Sequence, residues 1–298
     1  MNIATTIPVA PAAMIARPDA GTSIFLVTGA DTIAIRAGTL VGTTAFDRDT
    51  SLSTSDLAAG KDYAVVIEDG QPMVYGCNLA VPDGAVGGFH FAPGGNSAAG
   101  KGGDAMPAIN PYSCWDAGFR PACSDPRGMA LVEQNGQRFW CDIYLLGVDH
   151  LAKGTSRFGE TIADGVSLPA APDGHGLTKK LDYATAVAIY AHHGKQLLGA
   201  EEFFAAAYGV TERSSADVDP VTAGLDAART SRFGIMQATG NLWIWGTDGH
   251  PDDPGPSLLG GSWLNGSHAG SRYASLGYWP DSSSDVISAR GRSDHLAA

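Results

Sequence analysis

The stretch GGSWLNGSHAGSRYASLGYWPDSSSDVISARG, residues 260–291, mixes tryptophan and tyrosine with serine, glycine and asparagine. Its apolar residues follow neither the two-residue period of a strand nor the 3.6-residue period of a helix. Antibody loops have a similar composition, because aromatic side chains give contact area and small polar side chains give adaptable hydrogen bonds. The composition indicates an irregular segment, and a flexible tail, a catalytic loop and a contact surface all stay open.

The chain around this stretch has the composition of a globular protein. Of its 298 residues, 44% are hydrophobic and 17% are charged, which is enough to build a core and unlike a disordered chain. The formal net charge of −12 opposes binding to a phosphate backbone, so we expect no nucleic-acid partner. No apolar run approaches the length of about 20 residues that spans a bilayer, so we expect no membrane insertion. The first residues lack the basic and continuous apolar regions of a signal peptide, which predicts a chain made in the cytoplasm.

The first third of the chain has the pattern of a small β domain. Its strand candidates are β-branched or alternating segments separated by Gly and Asp turns. A glycine-rich stretch that follows residue 92 resembles a seam between structural units. We predict strands at 22–27, 32–38, 62–70 and 73–80.

Two helices are predicted in the second half of the chain. The first follows Asp182, a plausible N-cap, and ends near Gly194. The second lies within 199–209, with acidic residues in its first turn and Gly209 at its end. We expect the buried stripe of the first helix to consist of Ala184, Val187, Ala188 and Ala191.

Short strands return after the second helix. We predict them at 233–240, 241–246, 258–263 and 286–291. A β domain followed by a segment that mixes two helices with irregular strands is an α+β arrangement.

The four cysteines, Cys77, Cys114, Cys123 and Cys141, match no zinc or redox spacing. Free buried thiols are the simplest interpretation, and a bridge between Cys114 and Cys123 stays open. Residues 95–102 approach a phosphate-binding loop, but Gly102 stands where the loop needs a hydroxyl residue, so a flexible loop is favoured.

Other polar residues are weak candidates for chemistry. His192 and His193 lie at a helix end, where capping or packing explains them. Asp248, Asp252 and Asp253 form an oxygen-rich loop whose spacing matches no EF-hand, which favours a solvated turn over a Ca²⁺ site. We therefore expect no catalytic residues, no metal and no cofactor.

Several longer strings in this chain are distinctive and occur in a recognisable order. They resemble the major tropism determinant family of phages that carry diversity-generating retroelements. The strings are AIRAGTLV, LAAGKDYAVVIEDG, VGGFHFAPG, FRPACSDPRGMALV, FWCDIYLLGVDHL, TIADG, HHGK, QATGNLWIWG and GGSW…AGSR…ARGRSDHL.

The resemblance implies a fold and a domain order. It implies an N-terminal arm at 1–20, a β-sandwich-like domain at 21–110 and a C-type-lectin-type domain with two helices and irregular β-sheet at 111–298. The wider family is similar in fold to the formylglycine-generating enzymes. Such an oxidase needs a reactive cysteine pair late in the lectin-type domain, and no cysteine follows Cys141. We therefore expect a protein that is not an enzyme.

The resemblance also implies that a variable region, about 260–291, is rewritten by adenine-directed mutagenesis, often at AAC codons. Randomised adenines in such codons cannot yield Lys, Glu, Gln, Met or Trp, and residues 238–298 contain none of the first four. The tryptophans of this part, Trp279 included, must then be encoded by the template. The sequence is consistent with this mechanism.

Within the variable region, the resemblance separates exposed variable positions from a fixed scaffold. We expect Tyr278 to be the main anchor, because aromatic side chains dominate binding hot spots. The expected scaffold residues are Trp263, Arg272 and Arg290. The expected variable, ligand-binding residues are Leu264, Asn265, His268, Ser275, Gly277, Tyr278, Ser282, Ser284, Val286 and Ile287.

These expectations describe a receptor-binding protein that displays a retroelement-diversified surface. The partner implied is a host or cell-surface protein receptor, and a homotrimer is expected because multivalent display strengthens weak sites. The location implied is a virion tail tip, of a phage or a prophage. Only about 20 residues precede the first predicted strand, fewer than in the phage proteins, so a cell-associated variable protein stays open. A Ca²⁺-dependent carbohydrate-binding lectin is the other alternative.

Overall fold

A computed structural model describes residues 14–54, 56–77, 80–98, 100–249 and 255–296. The described part is mostly β structure with three short helices, as the predicted α+β class requires. The helices are α1 (His150–Lys153), α2 (Tyr183–His192) and α3 (Ala200–Ala206). The strands are β1 (Ile15–Ala16), β2 (Phe25–Val27), β3 (Ile33–Ile35), β4 (Thr39–Val41), β5 (Thr44–Phe46), β6 (Thr50–Ser51), β7 (Lys61–Glu68), β8 (Gln71–Gly76), β9 (Gly87–Ala92), β10 (Ala108–Ile109), β11 (Trp115–Asp116), β12 (Met129–Gln134), β13 (Gln137–Asp142), β14 (Gln196–Leu197), β15 (Trp243–Gly246), β16 (Ser257–Leu259), β17 (Ala274–Ser275), β18 (Ile287–Ser288) and β19 (Gly291–Asp294).

The first β-rich part contains three small sheets. Their strand orders are β1-β4-β5, β2-β3-β6 and β10-β9-β7-β8, with β11 paired to β9. All four strands predicted from the sequence are present, in shorter form, although the end of the last prediction lies outside the described residues. Asp69 and Gly70 both have positive φ and join β7 to β8, as a two-residue hairpin turn requires. Phe25, Val65 and Phe89 are among the residues that form the core between these sheets.

The second part is built on two four-stranded sheets. Their strand orders are β12-β13-β19-β14 and β17-β16-β15-β18, and the pairing of β15 with β18 is parallel. The main core lies between these sheets and α3, and Phe139, Phe203 and Ile244 belong to it. Since β19 comes almost last in the chain but pairs with β13 and β14, the C-terminal end of the segment 260–291 is fixed in this sheet.

Helix α2 confirms the predicted cap and contradicts the predicted stripe. The Asp182 carboxylate accepts a hydrogen bond of 2.9 Å from the Thr185 N–H, and Gly194 has a positive φ just after the helix. The predicted stripe was wrong because the opposite face, which carries the large side chains of Ile189 and Tyr190 together with Ala186, faces the core. The exposed positions are Ala184, Val187, Ala188 and Ala191.

The strands predicted late in the chain are only partly formed. The segment 241–246 contains β15, as predicted, but 233–240 has no strand because Gly234, Gln237 and Gly240 adopt positive φ. The segment 258–263 stops at Leu259, since the glycines that follow also have positive φ. The segment 286–291 is divided between β18 and β19.

The two parts pack against each other through a mixed apolar and charged junction. Trp115, which lies in the first part, shares a buried cluster with Trp140 of β13. His90 of β9 contacts the Asp62 carboxylate at 3.0 Å through Nδ1 and the Tyr144 hydroxyl at 2.9 Å through Nε2. This junction fixes the position of the second part relative to the first.

The four cysteines are free and buried, as the simplest interpretation predicted, so no bridge joins Cys114 to Cys123. Burial raises the pKa of the Cys114 and Cys141 thiols to about 12. Thiols with such high pKa values stay protonated and unreactive at neutral pH.

Candidate functional site

The segment 260–291 leaves the sheet at the end of β16, returns to pair with β16 at β17, and joins the sheet again at β18. Gly260 and Gly261 turn the chain away from the sheet with φ values of 92° and 80°. A Cβ added at Gly261 would lie 2.7 Å from the Ala269 Cβ, so both the conformation and the space require glycine there. The long excursion that follows is therefore set by two buried glycines.

The first half of this segment is held by side chains outside the regular elements. The Asn265 Oδ1 accepts hydrogen bonds of 2.7 Å from both the backbone N–H and the hydroxyl of Ser262. The Ser215 hydroxyl donates to the Trp263 carbonyl and accepts from the Gly266 N–H, at 3.1 and 3.0 Å. Asn265 was predicted as a ligand-binding residue, and its amide oxygen is engaged in holding the loop.

Two of the predicted binding residues in this half point into solvent. The Leu264 side chain is 64% exposed, and His268 is exposed with its ring edge-on to Tyr273, the centroids 6.3 Å apart. The Tyr273 hydroxyl donates a 2.9 Å hydrogen bond to the Ser267 carbonyl, which fixes that ring across the loop. Leu264 and His268 are therefore available for contact without supporting the core.

The second half begins at β17 and contains two neighbouring aromatic residues, one half-buried and one exposed. Ser275 and Gly277 are half-buried. Tyr278 is half-buried with its ring edge-on to Trp245 at 6.1 Å, and its N–H donates to the Pro256 carbonyl at 2.8 Å. The neighbouring Trp279 is 75% exposed.

Residues 280–286 are held in place by hydrogen bonds from the backbone of two other segments. The Gly165 N–H donates to the Ser284 carbonyl at 2.9 Å, and the Leu181 N–H donates to the Ser283 hydroxyl at the same distance. Ser282, Ser284 and Val286 are half-buried here. Their side chains border the surface and are less open than Leu264.

Ile287 corrects one expectation, because its side chain is 2% exposed. It lies in β18, pairs with Trp243 of β15 and belongs to the core that contains α2. A residue in this position cannot contact a ligand in the folded chain. The expectation that Ile287 is exposed was wrong.

The three expected scaffold residues lie in different environments. Arg290 is 1% exposed, Trp263 is half-buried against the main core, and Arg272 is exposed with its guanidinium 5.6 Å from the centre of the Phe204 ring. The Arg290 guanidinium donates to four carbonyl oxygens, at 2.8 Å to Asp142, 2.8 Å to Ile143, 2.7 Å to Met236 and 3.1 Å to Gln237. Arg290 thus ties the end of the variable segment to the core.

The other polar candidates serve the fold. His193 contacts the Nδ1 of His150 at 2.9 Å through its Nε2, and the Nε2 of His150 donates to the Ala170 carbonyl. Burial, aided by the charge of Lys195, lowers the pKa of His193 to about 3. Asp248 accepts a hydrogen bond from the Ala200 N–H at the start of α3.

A metal site would need a group of ligands, either in the acidic loop or elsewhere among the described residues. Asp252 and Asp253 lie outside the described residues. Among the residues that are described, no group of three or more His, Cys, Asp or Glu could hold a metal ion. In the same part of the chain, no helix has the length and hydropathy to cross a membrane.

Sequence reasoning missed some of the most exposed apolar side chains of this face. Trp279 had been considered only as template-encoded scaffold, and Leu276, 45% exposed, had not been considered. The signal available was local: Leu276 and Trp279 lie within two residues of Gly277, in a stretch with no period. Burial could not be assigned without the pairing of β17 with β16.

Comparisons with known proteins give a consistent result. Residues 23–116 match the family model described as Mtd second domain. The tail fiber receptor-binding protein of Bordetella phage BPP-1 is 38% identical over 323 residues, an alignment that covers 94% of this chain and 84% of that protein. The solved structures of the Major Tropism Determinant U1 and I1 variants are 37% and 38% identical and superpose with a TM-score of 0.87, each over 95% of this chain and 86% of theirs. With a relative this similar along nearly its whole length, the chain belongs to the major tropism determinant family.

Proposed function

We propose that this chain is a phage receptor-binding protein whose segment 260–291 is the diversified contact surface. The relative from Bordetella phage BPP-1 is named a tail fiber receptor-binding protein, and the identity extends along most of both chains. This similarity favours receptor binding at a virion tail over a Ca²⁺-dependent lectin or a cell-associated variable protein.

The observation that carries this proposal is the separation of exposed from buried side chains within one segment. Leu264 is 64% exposed and His268 is also exposed, whereas Ile287 and Arg290 are 2% and 1% exposed. Exposed side chains can change without altering the core, because surface substitutions usually change stability by within about 0.5 kcal/mol. A diversified surface needs this separation.

The finer features follow from the same proposal. The partner is a host cell-surface protein, the assembly is a homotrimer, and the chain carries out no catalysis. The diversified segment lies in a C-type-lectin-type domain that follows a β-sandwich-like domain. The pairing of β11 with β9 and the extent of the family match, to residue 116, favour a domain boundary a few residues after 110.

A retention experiment on host cell-surface proteins tests the proposal. The chain and a variant with Leu264, His268 and Trp279 replaced by alanine are immobilised separately and offered the same detergent extract. We expect the variant to lose the captured receptor. The matched control carries Met73→Ala and Met106→Ala, which remove exposed apolar side chains of the first β-rich part. Equal retention by all three proteins would contradict the proposal.

A further inference from the structure

Three exposed valines lie outside the segment 260–291 and beside it. Val166, Val218 and Val221 are 75%, 70% and 62% exposed, and we call these three residues the valine ledge. Two loops carry them, and the Ile162 N–H, which donates to the Val221 carbonyl at 3.0 Å, brings these loops together. Exposed apolar side chains that are carried on adjoining loops mark interaction surfaces more often than single exposed residues do.

The ledge is continuous with the diversified segment on both sides. The loop that carries Val218 also contains Ser215, whose hydroxyl contacts the Trp263 carbonyl and the Gly266 N–H. The loop that carries Val166 contacts the second half of the segment, because the Gly165 N–H donates to the Ser284 carbonyl. A ligand that covers the exposed residues of the segment would therefore reach the ledge.

Carboxylates give the ledge a negative charge. Three carboxylates lie where these segments meet: Asp164 precedes Gly165, Asp285 follows Ser284, and Asp219 is two residues from Val221. Burial and the charges of Asp164 and Asp285 raise the pKa of Asp219. Asp164 accepts hydrogen bonds from the N–H groups of Val166 and Ser167. In the part of the chain that the structure describes, none of these three carboxylates forms an ion pair. An approaching cation would relieve their mutual repulsion.

We propose that the receptor-binding surface extends onto the valine ledge, which contacts an aliphatic patch beside a lysine or arginine of the same receptor protein. This inference rests on the proposed function. Since the ledge lies outside the rewritten segment, every variant of the chain carries it. The ledge supplies a constant part of the affinity, and the diversified side chains supply the part that selects the receptor.

The experiment selects new binders and then alters the ledge. Codons for Leu264, His268, Leu276 and Trp279 are randomised in the full chain, and the library is selected for binding to lysozyme, a basic protein. Each binder is then remade with Val166→Thr, Val218→Thr and Val221→Thr, which keep the shape and replace a methyl group by a hydroxyl. We expect the affinity for lysozyme to fall about tenfold in most binders.

One control and one further test separate the ledge from other effects. Met73→Thr removes an exposed apolar side chain on β8 and should leave the affinity unchanged. Asp219→Asn should weaken the binding of lysozyme and reduce its dependence on salt, because a charge pair has been lost. Thermal unfolding of each variant shows whether the fold is retained.

The outcomes distinguish the two proposals. If lysozyme binders are obtained and the ledge substitutions leave their affinities unchanged, the extended surface is wrong and the diversified surface stands. If the library yields no binders, the proposed function fails and this inference fails with it. A Met73→Thr variant that loses as much affinity as the ledge variants would also overturn the role of the ledge.

Discussion

At the scale of single residues, the fold depends on a few buried side chains at the ends of the variable segment. Replacing Arg290 by methionine keeps an apolar stem and removes the donors that satisfy four buried carbonyl groups. We expect the free energy of unfolding to fall by about 3–5 kcal/mol, because buried acceptors would be left without partners. Urea denaturation followed by circular dichroism measures this change.

Arg272→Ala is the matched control for this substitution. The Arg272 side chain is exposed and stacks on the Phe204 ring, a contact that contributes about 0.5–1 kcal/mol. We expect a correspondingly small loss of stability. Similar losses for the two arginines would contradict the central role of Arg290.

Trp263 and Leu264 are neighbours whose replacement by alanine should change the free energy of unfolding by very different amounts. Trp263 is half-buried against the main core, so Trp263→Ala should cost about 2–3 kcal/mol, less than for a fully buried aromatic. Leu264→Ala should change the free energy of unfolding by no more than about 0.5 kcal/mol, because the side chain is exposed. Denaturation curves of the two variants measure these changes. A loss of stability for Leu264→Ala as large as that for Trp263→Ala would refute the assignment of Leu264 as an exposed contact residue.

The composition of the segment predicted its irregular structure, and the family resemblance predicted a contact surface, but neither predicted the burial of each residue. Ile287 was expected to be exposed and is buried because β18 pairs in parallel with β15. A strand that is covered on both faces shows no alternation of apolar and polar residues, so the sequence has no local signal for its burial. Trp279 was expected only to be encoded by the template, and codon arithmetic says nothing about the exposure of a side chain, which is 75% here.

At the scale of elements, local chemistry predicted where helices begin and end, and tertiary packing decided which face is buried. The cap at Asp182 and the glycine after α2 follow from backbone hydrogen bonding alone. The buried face depends on what lies opposite, and Ile189 and Tyr190 pack on the core in place of the predicted alanines. Positive φ at Gly234 and Gln237 likewise removed the strand predicted at 233–240.

The cap of α2 can be tested directly. Asp182→Ala removes the acceptor for the Thr185 N–H and should cost about 1 kcal/mol. Asp182→Asn keeps an oxygen that can cap the helix and should cost only a few tenths of a kcal/mol. Thermal unfolding of both variants gives the comparison. Equal losses would show that the charge of Asp182, rather than its capping oxygen, stabilises the helix.

At the scale of the whole molecule, the long distinctive strings predicted the family, while physical patterning predicted only the α+β class. The joining of the two parts could not be predicted, because Trp115 and Trp140 meet through contacts between residues far apart in sequence. His193, which was expected to cap or pack at a helix end, and His295 are both half-buried, and their protonation links the fold to pH.

Two histidines lose their affinity for protons when the chain folds. Burial lowers the pKa of His193 to about 3 and that of His295 to about 4, from an ordinary value of 6.5. The unfolded chain therefore binds more protons than the folded chain between these values and about pH 6.5. Their contribution to stability is fully present above about pH 6.5 and is lost as the pH falls toward the folded pKa values.

The stability of the whole molecule should accordingly decrease on acidification, and part of this decrease should belong to His193. Between pH 7 and pH 5, we expect His193 to account for about 1 kcal/mol of the loss, a value reduced for its partial exposure to solvent. His193→Gln should remove that part of the pH dependence when urea unfolding is measured at both pH values. His175→Gln changes an exposed histidine and should leave the dependence as it is. If His193→Gln and the unaltered chain lose the same free energy between pH 7 and pH 5, then His193 is not neutral in the fold, and its contact with His150 is held in another protonation state.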